Sequence, residues 1–116
     1  TKQIDSLEHL TDDEKRAVAE IKHRVEELVS PRLKGIYLFG SKARGDYDPE
    51  SDVDLAILVD GLDSKIKRTI IDIVVQVEMK YIVVISSLVL SWKNFLDLRD
   101  RERRIALDIE HEGIPL

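Results

Sequence analysis

A chain of 116 residues with 35% charged side chains and a formal charge of −5 has the size of one compact domain, 1–116. Such a chain buries roughly two-thirds of its unfolded surface on folding and needs no covalent staple. It has no cysteine, which excludes a disulfide framework, thiolate zinc and thiol chemistry and points to a reducing compartment. The acidic balance argues against general nucleic-acid binding, which rests on an excess of Lys and Arg. The opening Thr1-Lys2-Gln3 lacks a signal-peptide core, and the apolar runs Ile70 to Val77 and Ile82 to Leu90 are too short to span a bilayer. The expectation is a soluble cytoplasmic protein with no membrane partner.

Thr11-Asp12-Asp13-Glu14 has the form of a capping box, in which the Thr hydroxyl and the Glu carboxylate satisfy free backbone N–H groups reciprocally. A helix is predicted to start there, with Val18, Ile21, Val25 and Leu28 as its apolar stripe and Ser30-Pro31 as its end. Gly35 to Phe39 reads as a buried strand running into a polar loop from Gly40 to Ser51, with no helix expected directly after the loop. Val53 to Val59 is the next strand, closed by the turn pair Asp60-Gly61. Asp63 to Lys80 carries Ile66, Ile70, Val74 and Val77 at helical spacing, and Ile82 to Leu90 is a third strand. Ser91 to Asp97 has no decisive pattern. Asp100 to His111 is predicted as a final helix with Ile105 and Ile109 inward and Gly113 just past its end. This order indicates an α/β or α+β fold, a small sheet with helices packed on it.

The chemistry concentrates in the middle of the chain. Alternate strand residues share a face, so Asp52 and Asp54 project together about 6.5 Å apart, while Val53, Leu55, Ile57 and Val59 fill the opposite face and hold the register. Two carboxylates so placed repel unless a cation lies between them, and oxygen ligands of this kind suit Mg²⁺ together with substrate phosphates. At the end of the preceding strand, Gly40 lets the backbone approach an anion, and the Ser41 hydroxyl can bond phosphate oxygens. Lys42 and Arg44 follow in the same loop, where either can offset charge on a transferred phosphoryl group; taken singly, both read as solvated.

Each half of this pattern alone has an ordinary explanation, a solvated strand edge or a strand-to-loop turn. A P-loop is excluded because the order Gly-Lys-Ser/Thr is absent. A calcium loop through Asp46, Asp48 and Asp52 is excluded because its glycine is missing and Ile57 stands at the last ligand position. His9, His23 and His111 are scattered on polar stretches and expected at the surface. Trp92 and Phe95 are expected in the core or at a partner contact.

The pattern Gly40-Ser41, ten residues, Asp52-Val53-Asp54, set within Phe39-Gly40-Ser41-Lys42-Ala43-Arg44-Gly45 and Ser51-Asp52-Val53-Asp54-Leu55, resembles the minimal nucleotidyltransferases of the DNA polymerase beta superfamily. These include the antitoxin-type members paired with helical HEPN proteins. The likeness extends loosely to the closing Glu112-Gly113-Ile114. It implies a polymerase-beta-like fold with a small mixed sheet. It also implies that Gly40, Ser41 and Arg44 hold a nucleoside triphosphate, that Asp52 and Asp54 bind catalytic Mg²⁺, and that AMP moves from ATP to a hydroxyl, such as a tyrosine of a HEPN toxin.

One departure matters. Active family members usually carry a third carboxylate on the strand after the long helix, and Tyr81-Ile82-Val83-Val84-Ile85-Ser86-Ser87-Leu88 contains no acid. Glu78 lies nearby in sequence but falls on the predicted helix. Losing one ligand weakens the metal nearer the nucleophile, which sets two readings side by side: an active transferase, or a catalytically degenerate antitoxin that acts by occluding its partner. A chain this small is expected to need a second chain, a copy of itself or another protein, to present the acceptor.

Overall fold

The computed structural model describes residues 7–45 and 51–116. The readings at Thr1 to Gln3 and at Asp46 and Asp48 lie outside the described residues.

The capping box forms as the sequence requires. Thr11 Oγ1 accepts from the Glu14 N–H at 3.1 Å, and Glu14 Oε1 accepts from the Thr11 N–H at 2.9 Å. Helix α1 (Asp12–Val29) buries Ala17, Val18, Ile21, Val25 and Val29. Val29, four residues after Val25 and on the same face, makes the last-turn contact instead of Leu28, which is 40% exposed. Ser30 then turns extended ahead of Pro31.

Strand β1 (Leu33–Phe39) leads directly into a single helical turn, α2 (Ser41–Arg44), where a loop without helix was expected. Gly40, at φ +76°, reverses the chain so that its carbonyl accepts from the N–H groups of Ala43 and Arg44, each at 3.1 Å. Strand β2 spans Val53–Val59. Helix α3 (Ser64–Tyr81) starts at Asp63, whose carboxylate accepts from the Ile66 N–H at 2.8 Å, and it buries Ile70, Ile73, Val74 and Val77.

Strand β3 (Ile85–Ser91) begins three residues later than the apolar run, because Ile82 closes α3 in the left-handed region at φ 55°. The expected final helix is two helices, α4 (Trp92–Asp100) and α5 (Arg104–Glu112). A turn through Glu102 at φ 54° separates them, held by Arg103 N–H donating to the Leu98 carbonyl at 2.9 Å. A two-residue strand β4 (Ile114–Pro115) follows.

The sheet order is β3-β2-β1-β4, with β1 antiparallel to β2 and β4, and β2 parallel to β3 across the α3 connection. It is a sheet with helices packed on it, as the element order indicated, and a small mixed one, as the family resemblance implied. One core packs Val53, Leu55, Ile57 and Val59 with Ile36, Leu38 and the apolar faces of α1 and α3. A second packs Ala56 and Leu58 with Phe95, Ala106 and Ile109 of α4 and α5. Central β2 is therefore buried on both faces, each large side chain contributing about 1.5–3 kcal/mol. Among the described residues no helix is long and apolar enough to cross a membrane.

Candidate functional site

Pairing places the two halves of the motif against each other. Phe39, the last residue of β1, stands opposite Asp54 in the antiparallel register, so Gly40 leaves the sheet directly beside that carboxylate. Its dihedrals, φ +76° and ψ −159°, lie in a region open essentially only to glycine. A Cβ there would overlap Asp54 Oδ2 inside the 3.0 Å that real Cβ contacts respect. Glycine is thus required twice, for the backbone turn and for the close approach of the acid. Ser41 follows at once and opens α2.

Asp54 is half-buried and Asp52, one residue ahead of β2, is exposed. Further along β2 on the face covered by α4 and α5, Ala56 and Leu58 are sealed. The acids therefore sit at the rim of that face. Burial raises the pKa of Asp54 above the ordinary 3.8, the charge of Asp52 raises it further, and Arg44 pulls it back down. Two mutually repelling carboxylates beside a glycine turn form a donor set of oxygens that fits a divalent cation such as Mg²⁺.

Arg44 reaches this field from α2 and is held at 3.0 Å by Glu112, the last residue of α5. Lys42 does something else. Instead of the solvated side chain expected, it is 3% exposed, and its Nζ donates to Glu14 Oε2 at 2.5 Å. It projects away from solvent into the seam between α2 and the first turn of α1. Its alternation with Ser41 and Arg44 on a one-turn helix decides this, and that helix was not legible as one.

Ser86 of β3 pairs with Asp54 in the parallel register, so the two side chains share a face. Glu78 lies on α3, as expected, and its carboxylate accepts from the Ile85 N–H at 3.0 Å, fastening the start of β3. Among the described residues no group of three or more His, Cys, Asp or Glu converges at one point.

His23 and His111 are exposed, as expected, with His23 against Glu27 at 2.8 Å. His9 departs from that expectation; it is only 29% exposed and packs against Gly45 at the end of α2. Trp92 and Phe95 stack at 5.7 Å between centroids, with Phe95 buried in the second core and Lys34 over the Trp92 ring at 5.8 Å. They line a cavity of about 200 Å³ with Tyr37 and Leu58. Leu58 lies toward the end of β2 away from the two aspartates.

Comparison with known proteins follows the same residues. A family model described as a nucleotidyltransferase domain matches residues 18–109. Two Methanocaldococcus jannaschii proteins provisionally named protein adenylyltransferases are similar over shorter stretches. MJ0141 is 41% identical over 73 residues, covering 62% of this chain and 74% of its own length. MJ0604 is 39% identical over 83 residues, covering 72% and 79%.

Among solved structures, a provisionally named nucleotidyltransferase from Sulfolobus solfataricus superposes with a TM-score of 0.55 at 22% identity, over 97% of this chain and 80% of that one. A toxin–antitoxin structure with AMP-PNP gives 0.53 at 21%, over 82% and 68%. A mutant of the MntA–HpeT toxin–antitoxin gives 0.51 at 18%, over 90% and 72%. At these identities the structures speak for the fold.

Proposed function

This chain belongs to the minimal nucleotidyltransferase family, and from that premise we propose that it transfers AMP from Mg-ATP to a hydroxyl on a partner protein. The observation that carries the reading is the contact of Gly40 with Asp54: the turn that opens α2 lies against a carboxylate whose pKa is raised by burial and by the charge of Asp52. In this reading Asp52 and Asp54 hold Mg²⁺, which when bound neutralises charge developing on the phosphates. Gly40 lets the turn close against Asp54, the Ser41 hydroxyl donates to a phosphate oxygen, and Arg44, oriented by Glu112, offsets the remaining negative charge.

A protein acceptor is supported by the names of the two archaeal relatives. It is also supported by the surface beside the acids, where Met79, Ile82 and Val84 stand 76%, 90% and 61% exposed. Val84 accepts from the Val53 N–H at 3.0 Å, which places this apolar lip next to Asp52 and Asp54. Large exposed apolar clusters of this kind serve protein contacts. The fold of the toxin–antitoxin neighbours makes a toxin of the HEPN type the first partner to try, and the cytoplasm is the compartment in which ATP and such a partner meet.

Incubation with labelled ATP, Mg²⁺ and a HEPN-type partner protein is expected to label that partner. Asp52→Asn and Asp54→Asn are expected to abolish the label. A folded preparation that binds the partner but leaves it unlabelled would argue for the second reading, a degenerate domain that silences by occlusion. Ser86 at the place beside Asp54, where an acid would complete the metal site, is the observation that favours it. In that case Asp52→Asn retains inhibition.

A further inference from the structure

We propose that Lys42 and Glu14 are positioning residues of the nucleotide turn, a buried clamp that ties the Gly40-Ser41 corner to the first turn of α1; the inference rests on the reading of that corner as the nucleotide site. Lys42 lies one residue after Ser41, and Glu14 lies 28 residues earlier in the chain. Both are nearly sealed, at 3% and 8% exposure. One Glu14 oxygen closes the capping box with the Thr11 N–H and the other accepts from Lys42. A single carboxylate therefore joins the start of α1 to the turn that faces Asp54.

Stability alone gives a poor account of this arrangement. Taking two charges out of water costs several kcal/mol per ion, and a well-packed apolar pair often serves as well or better. Orientation gives a better one. Helix α2 is four residues long, and its own ladder consists of the bonds from Ala43, Arg44 and Gly45 back to Gly40 and Ser41. Such a turn has little rigidity of its own. Ala43 gives it a small apolar contact with the main core, and the Lys42 ion pair gives it a directed one. With the clamp in place the Gly40-Ser41 corner is held against Asp54, and a ligand bound there need not order the turn.

The test uses the double variant Glu14→Gln/Lys42→Met. Glutamine retains the capping box, and removing both charges leaves neither Glu14 nor Lys42 as a buried ion facing a neutral partner. Melting temperature, Mg-ATP affinity by calorimetry, and KM and kcat for adenylyl transfer are measured against the wild type. The expected result is a melting temperature close to wild type, Mg-ATP affinity weakened about tenfold, and KM raised by a similar factor with kcat changed much less. Lys42→Arg, which keeps the charge, is expected to recover most of the affinity.

A double variant that binds Mg-ATP as tightly as the wild type overturns the clamp while leaving the nucleotide site intact. A wild-type protein that binds no Mg-ATP overturns the nucleotide reading and the clamp with it. If the double variant does not fold, Lys42→Met alone decides: it removes the sealed ammonium and leaves Glu14 its capping bond to the Thr11 N–H, and undiminished affinity there refutes the proposal equally.

Discussion

Gly40→Ala adds a single methyl group at the point where the turn meets the acid, and the structure sets the size of the result. The glycine dihedrals fall in a region that costs an L-residue about 1–3 kcal/mol. The new Cβ would also lie inside 3.0 Å of Asp54 Oδ2, so the carboxylate must retreat by roughly 1 Å to restore contact distance. Domains of this size are stable by about 5–15 kcal/mol, so the variant stays folded. A misplacement of that size costs on the order of 10²-fold in rate, about 2.7 kcal/mol of barrier.

The control is Gly61→Ala. Gly61 also has positive φ, +69°, but its new Cβ would meet only Arg32 Nη1 at 3.6 Å, at the far end of β2. Both variants are expected to lose stability in a thermal melt, whereas only Gly40→Ala loses Mg-ATP binding and transfer. The reasoning fails if Gly40→Ala keeps its activity within about threefold of Gly61→Ala, a difference of about 0.65 kcal/mol or less.

Asp54 leads to a prediction of opposite sign for stability and function. Its folded-state pKa is raised, so the folded chain holds this proton more tightly than the unfolded chain. The advantage exists at low pH and is lost as pH climbs from the ordinary 3.8 through the raised value. At neutral pH the ionised group opposes folding of the metal-free protein. Asp54→Asn should therefore melt higher than wild type at pH 7, by a margin that shrinks in acid, while transferring nothing; a lower melting point at pH 7 would contradict the burial argument. Ser86→Asp places an acid beside Asp54 on the same face and is expected to raise turnover on the order of 10²-fold, the low end for a positioned base. Unchanged turnover with unchanged Mg²⁺ affinity would remove Ser86 from the site. Ile82→Gly relieves a left-handed β-branched residue that is 90% exposed. Strain of about 1–2 kcal/mol set against about 0.4–1 of added unfolded-state entropy leaves a net gain of about 0.5–1 kcal/mol. A calorimetric melt that moves downward would mean that the side chain packs after all.

The elements legible in the chain were those specified by neighbours a few residues apart. The capping box at Thr11 and Glu14, the spacing of Ile70, Val74 and Val77, and the run Val53 to Val59 each carry their own signal, because cap geometry and apolar period are local properties. The single turn after Gly40 was missed because its hydrogen bonds depend on a positive-φ backbone reversal lying against Asp54, fourteen residues on. The split between α4 and α5 was missed because Arg99 to Arg104 is continuously charged, and a left-handed Glu102 leaves no trace in composition. Strand β4 is two residues long and exists only because β1 has a free edge to pair with.

By itself the amino-acid order determined the apolar and polar faces of α1, α3 and β2, the spacing of Gly40-Ser41 from Asp52 and Asp54, and the want of an acid between Tyr81 and Leu88. Tertiary structure decided which of these groups touch. It buried Lys42 against Glu14, turned Arg44 toward Glu112, covered the second face of β2 with α4 and α5, and set Ser86 rather than a carboxylate next to Asp54. The physical reason is that periodicity reports where a side chain points relative to its own element. Charge pairing and pKa depend on distances between elements, and those are settled only when the sheet takes its register and the helices close over it.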